Sequence, residues 1–140
     1  MPSGRPASFA PAPRRGRTDV CVPISQLAEC ILETRADIDA NGLLAPIVGH
    51  VGDGNFHLTF LVDPNDEGEV ARAEAVNHRM IDRALAMGGT CTGEHGIGTG
   101  KMPYREKEHP DGVGLMRRIK RAFDPDNILN PGKVIRFRSE

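Results

Sequence analysis

Apolar residues recur along this chain with two periods that alternate in blocks. Phe56, Leu58, Phe60 and Val62 alternate with His57, Thr59 and Leu61, the period of a strand with one buried face. Ile47 to Val51 forms a shorter strand block before it. Asp53-Gly54, between the two, is a strong two-residue hairpin signal, because glycine supplies the positive φ that such turns need. With those two residues as the loop, Gly52 faces Asn55, Val51 faces Phe56 and His50 faces His57, which puts both imidazoles on one face.

Helical spacing governs the flanks. Thr18 to Pro23 reads as a short strand stopped by proline, followed by a helix capped by Ser25 and carrying Leu27, Ala28, Ile31, Leu32 and Ile38. Asn41-Gly42 ends that helix. A second helix over about residues 66–87 places Ala73, Val76, Met80, Ala84 and Met87 on one stripe, opened by an Asp66/Glu69 capping box and closed by Gly88-Gly89. A last helix from Asp111 carries Leu115, Met116, Ile119, Ala122 and Phe123 with Arg117, Arg118, Lys120 and Arg121 interleaved. Asp124-Pro125 stops it, and Asn130-Pro131-Gly132 is a tight turn before Lys133. Residues 1–17 are rich in Pro, Ser, Gly, Ala and Arg without periodicity, and are expected to be a disordered tail.

Composition changes this picture little. With 140 residues the chain has one domain's worth of core, 39% of it hydrophobic and 26% charged, as in ordinary globular proteins. A net charge of −1, one Tyr and no Trp argue against nucleic acid as a partner. No run is long enough to span a bilayer. Cys21, Cys30 and Cys91 are odd in number and share no metal-type spacing, which points to a reducing, cytoplasmic-type compartment.

The chemistry concentrates in two places. His50 and His57 could share a metal ion, although either histidine alone reads as incidental. Gly88 to Lys101 contains six glycines and, at its centre, Glu94-His95. A P-loop there would need glycine at His95 and Ser or Thr at Met102, and a dinucleotide fingerprint fails at Lys101 or Pro103. Two imidazoles and a carboxylate, His50, His57 and Glu94, are a common ligand set for a catalytic divalent metal with open positions. His95 beside such a ligand suits a general base, and Asn55 could orient a substrate carboxylate or hydroxyl. The plainer alternative makes Glu94-His95 a helix cap or a buried pair, and a hydrolase would use the same donors.

GHVGDGNFH, then TGEHGIGTGK, then FDPDNILNPGKV occur in that order. Together they resemble the C-terminal portion of the FAD-linked oxidases of the vanillyl-alcohol-oxidase group, particularly the D-lactate dehydrogenase (cytochrome) and glycolate oxidase subfamilies. The resemblance runs from about Thr18 to Ile135. It implies oxidation of a small 2-hydroxy acid to a 2-oxo acid by FAD with a divalent metal (zinc, manganese or iron). His50, His57 and Glu94 match the metal ligands, His95 the base, Asn55 a residue near substrate, and Asn130 and Gly96 positions at the flavin. The implied fold is α+β: an antiparallel sheet with helices on one face, partly ferredoxin-like, and a helical C-terminal tail. Members also carry a long flavin-binding domain, and nothing like it precedes Thr18. Residues 18–140 are therefore expected to be part of a substrate and metal domain that needs a flavin-binding domain or partner chain. The alternative is a non-catalytic metal-binding module. A mitochondrial location follows if the source is eukaryotic, and the electron acceptor is left open.

Overall fold

In the computed structural model, which describes residues 18–137, the chain forms β1 (Val20–Cys21), α1 (Ile24–Ala40), β2 (Ile47–His50), β3 (Asn55–Leu58), α2 (Glu67–Ala86), α3 (Met102–Glu108) and α4 (Gly112–Phe123). The proposed N-terminal tail lies outside the described residues. The strands make one antiparallel sheet in the order β1-β3-β2, and the class is α+β as expected. Beyond β1, Thr90 and Cys21 exchange backbone hydrogen bonds of 2.8 and 3.3 Å, a single antiparallel bridge on the outer edge. Strand, helix, hairpin, helix and edge bridge follow the order of a ferredoxin-like unit whose last strand is reduced to one residue.

The alternation read for the central strand holds past the end of β3. Phe56, Leu58, Phe60 and Val62 are all buried, because Thr59 and Leu61 still donate to Pro46 and Leu44 at 3.1 and 2.9 Å. Above this face α2 contributes Ala73, Val76, Met80, Ile81 and Ala84, the expected stripe with Ile81 added and Met87 only partly buried. Asp66 caps α2 by accepting from Glu69 N at 3.0 Å, while Glu69 reaches past it to Asp63 N at 2.6 Å. The capping box is thus half closed.

Three local readings need correction. Helix α1 starts at Ile24, with Pro23 rather than Ser25 at the cap, and Pro23 O accepts from Gln26 N at 2.8 Å. Its buried stripe is Leu27, Cys30, Thr34 and Ile38, while Ala28 and Leu32 face outward. Leu32 lies two positions past Cys30, roughly 200° around the helix, and is 69% exposed. Helix α3, which no periodicity announced, begins where Pro103 fits a first turn that needs no N–H there.

The third concerns α4. Only Val113 is buried, and Leu115, Ile119 and Phe123 are 53%, 50% and 83% exposed. The core is closed by α1, α2 and the sheet, so no described element covers that apolar side. Arg79 forks onto Asp37 at 2.7–3.1 Å and Arg83 reaches Glu33 and Thr34 at 2.8 Å, which braces α2 against α1.

Candidate metal centre

The hairpin sets the site, in a register different from the one the Asp-Gly signal suggests. Val51–Asp53 form a single 3-10 turn and Gly54 follows at φ 75, so the loop has four residues. His50 then pairs with Asn55 and His57 with Val48. The slip relative to the expected pairing is two residues, and a strand's side chains repeat every two. His50 and His57 therefore stay on one face, diagonal rather than opposed. Gly54 is obligatory here, since a Cβ on it would sit 2.0 Å from Val22 O.

Glu94 lies between the two histidines. Its carboxylate is 2.9 Å from His57 Nε2, 3.7 Å from His50 Nε2 and 3.5 Å from His95 Nε2. The His95 ring stacks on His57 with centroids 4.7 Å apart and an interplanar angle of 17°. His50, His57 and His95 thus each stand within 3.7 Å of the Glu94 carboxylate, His50 at one of its oxygens and the other two at the second.

His57 carries the most telling geometry. Its Nδ1 lies 3.1 Å from Thr18 O, and a carbonyl can only accept, so Nδ1 carries a proton and Nε2 is the ring atom left to face the site. That Nε2 is buried and receives no hydrogen bond. Its 2.9 Å neighbour is a carboxylate oxygen, so lone pair would face lone pair unless a positive charge, a proton on Nε2 or a metal ion, lies between them. A cation bound there satisfies both.

Behind this face lies a residue the sequence reading passed over. Asp19 is fully buried just before β1. Its Oδ2 accepts from the N–H groups of Gly93, Glu94 and His95 at 3.0, 3.1 and 2.8 Å and from the Thr92 hydroxyl at 2.7 Å. Its Oδ1 accepts from Asn55 Nδ2 at 2.8 Å. Lys101 donates to Asp19 O at 2.7 Å, with Oδ2 at 3.4 Å. Burial alone would raise the Asp19 pKa, but the His95 N–H, the Thr92 hydroxyl, the Asn55 amide and Lys101 together hold it far below the ordinary carboxylate range. Burial also pulls Lys101 below the usual lysine value, against the pull of Asp19. The available signal was the charge itself: aspartate is disfavoured in strands and costly to bury, yet Asp19 sits among Thr18, Val20 and Val22.

Among the described residues, the set whose ligand atoms all lie within 4.8 Å of one another is Asp19, His57 and His95. We favour the group centred on Glu94, because both Asp19 oxygens are already taken by donors and Asp19 is sealed from solvent. Asn55 is 5% exposed, with its nitrogen committed to Asp19 and Val20 O and its Oδ1 unpartnered. Gly93 makes that packing possible: a Cβ there would stand 2.0 Å from Asn55 Nδ2. Gly96, at φ 74, lends its carbonyl to Thr92 at 3.2 Å. Asn130 is exposed at φ 50 and touches none of the histidines, but Val134 N donates to Gly98 O at 2.7 Å and ties its turn to the glycine loop.

A cleft of about 900 Å³ lies elsewhere, lined by Cys21, Val22, Thr90, Lys107 and Glu108 among others, and none of the four clustered residues borders it. The donor chemistry, not the cleft, marks the site. The cysteines offer no competing nucleophile: burial, then Glu108, pushes the Cys91 thiol up to about 12, and burial also raises Cys21 and Cys30. No described helix is long and apolar enough to cross a membrane.

Comparison with known proteins follows the same lines. The chain is 50% identical over 129 residues to a mitochondrial D-lactate dehydrogenase [cytochrome] of Arabidopsis thaliana, covering 91% of this chain and 23% of that protein. It is 54% identical over 119 residues to a probable mitochondrial D-lactate dehydrogenase of Danio rerio, covering 84% and 24%. With glycolate oxidase subunit GlcD of Bacillus subtilis it shares 39% over 117 residues, covering 83% and 25%. The chain therefore spans about a quarter of the length of these relatives. The family profile described as FAD linked oxidases, C-terminal domain, matches residues 8–134. By that match over most of its length, the chain belongs to the FAD-linked oxidases and represents their C-terminal domain.

Proposed function

We propose that this chain is the metal- and proton-handling part of an FAD-dependent 2-hydroxy-acid dehydrogenase of D-lactate or glycolate type, forming a 2-oxo acid. One observation carries the reading: the buried His57 Nε2, stripped of any donor and facing the Glu94 carboxylate. His50, His57 and Glu94 would hold a divalent cation, zinc, manganese or iron. Such a cation supplies Lewis acidity to the hydroxyl and carboxylate of a 2-hydroxy acid, and FAD supplies the hydride acceptor.

This chain's residues do the rest. Thr18 O keeps His57 in the tautomer whose Nε2 is free. His95 takes the substrate hydroxyl proton on its imidazole, held in place by stacking on His57. Asn55, its nitrogen held by Asp19 and Val20 O, keeps an unpartnered Oδ1, the acceptor this reading assigns to the substrate hydroxyl. Asn130 and Gly96 would be the residues of this chain that stand at the flavin edge. In this reading residues 18–140 form the C-terminal part of the substrate and metal domain, the flavin-binding part belongs to a domain or partner chain beyond these residues, and this segment alone does not turn over. The names of the plant and fish relatives support a mitochondrial location.

Metal analysis of the full chain tests the core of the proposal. Wild type is expected to retain stoichiometric divalent metal and His57→Ala to lose it; equal metal content in both sinks the assignment. A colourless protein that keeps its metal and never takes up flavin alongside its partner region would favour the metal-module alternative.

A further inference from the structure

We infer that Asp19 is the positioning residue of this site: by accepting the backbone N–H groups of Gly93, Glu94 and His95, it sets where the Glu94 and His95 side chains stand relative to His57. The inference rests on the metal reading above for its consequence, but not for its geometry.

Glycine-rich backbone has no conformation of its own to defend. Between Cys91 and Lys101 four of the nine intervening residues are glycine, at positions 93, 96, 98 and 100. Yet Glu94 and His95 must be held closely if Glu94 is to lie 2.9 Å from His57 and the His95 ring is to stack on it. Among the described contacts, those on residues 92–95 converge mainly on one carboxylate. Three successive N–H groups and the Thr92 hydroxyl converge on Asp19 Oδ2, so the loop is wrapped around a fixed anion. The flanking backbone does the same for the other side of the site: Thr18 O holds His57 Nδ1 at 3.1 Å, and Val20 O with Asp19 Oδ1 holds Asn55 at 2.9 and 2.8 Å. A single three-residue stretch thus aligns the hairpin and the loop with each other.

A merely structural acid would be poor economy. A buried carboxylate costs several kcal/mol in desolvation, and an apolar residue of similar volume serves a core at least as well. Here the donors that offset that cost come from the segment carrying Glu94 and His95. Asp19 accordingly acts through those two residues and touches no substrate itself.

The test uses the full chain with Co²⁺ alone as probe, followed by its visible absorption, together with amide hydrogen exchange. The variants are Asp19→Asn, Thr92→Val and His57→Ala. Asp19→Asn places an amide N–H₂ among N–H donors. It is expected to weaken Co²⁺ binding 10- to 100-fold, as loss of a residue supporting metal ligands does, and to shift the cobalt band. The amides of Gly93, Glu94 and His95 should lose protection while those of Val76 and Met80 in α2 keep theirs. Thr92→Val, which removes one of the four donors and leaves the acid in place, should weaken Co²⁺ a few-fold in the same direction. Wild-type affinity and wild-type loop protection in Asp19→Asn overturn the inference. If Asp19→Asn unfolds, seen as lost α2 protection, Thr92→Val decides, and unchanged affinity there overturns it. If wild type and His57→Ala alike take no Co²⁺, the metal reading falls instead, and protection of residues 93–95 alone then decides for or against Asp19.

Discussion

Gly93→Ala should do damage far beyond the size of one methyl group. The added Cβ would sit 2.0 Å from Asn55 Nδ2, 2.9 Å from Asn55 Cγ and 3.0 Å from Asp19 Oδ1. None of these can withdraw cheaply. Asn55 is 5% exposed and its nitrogen bridges Asp19 and Val20 O, while Asp19 is fixed by the loop donors. Overpacking of this kind costs about 1–3 kcal/mol. If the clash is relieved by expelling Asn55, a charge-assisted hydrogen bond worth about 1.5–3 kcal/mol goes with it. By either route the expected loss is about 1–3 kcal/mol, or about 0.5–1.5 M in urea midpoint for an m-value of about 2 kcal/mol/M. Gly100→Ala is the matched control: a Cβ there meets nothing within 4 Å, so its midpoint should be unchanged or slightly raised. Equal midpoints for Gly93→Ala and Gly100→Ala would refute the close approach of loop to hairpin on which the site depends.

Two further perturbations separate core from surface and acid from neutral behaviour. Phe56→Ala should cost about 3–5 kcal/mol in urea denaturation, because Phe56 is 1% exposed at the centre of the sheet, whereas Phe123→Ala, 83% exposed, should stay within about 0.5 kcal/mol. Asp37 is held below the ordinary carboxylate value, first by its hydrogen bond from Arg79, against burial, with the Arg79 and Arg83 charges adding to the lowering. A depressed carboxylate contributes stability that is whole above the unfolded value of about 3.9 and fades as pH falls through the lower folded value. Thermal melts from pH 6 down to pH 2 should therefore show Asp37→Asn less stable than wild type at pH 6 and the gap closing below about pH 4. A gap that persists unchanged to pH 2 would remove the ion pair as its cause.

Parity explains why the candidate site could be read without its true register. The Asp53-Gly54 signal located a reversal correctly but not its loop length, since Gly54 enters φ 75 as the end of a 3-10 turn. The error was an even number of residues, so the face occupied by His50 and His57 survived it; an odd slip would have sent one of them into the core with Phe56. The α1 stripe was misread because Leu32 and Ala28 are apolar without being inward, and hydrophobicity alone carries no direction. The α4 face was legible as amphipathic, but nothing in a pattern says whether a partner surface is at hand.

Local composition determined the elements and the donor set: alternation made the hairpin, helical spacing made α1 and α2, and His50, His57, Glu94 and His95 supplied the imidazoles and the carboxylate. Only the tertiary structure decided how those donors meet. Asp19 stands more than seventy residues before Glu94 along the chain, and its contacts with the loop exist only once β1 has paired with β3 and Thr90 has closed on Cys21. A buried charge chooses its partners from what folding brings to it. No local window of sequence could have shown that this carboxylate would be the anchor of the site.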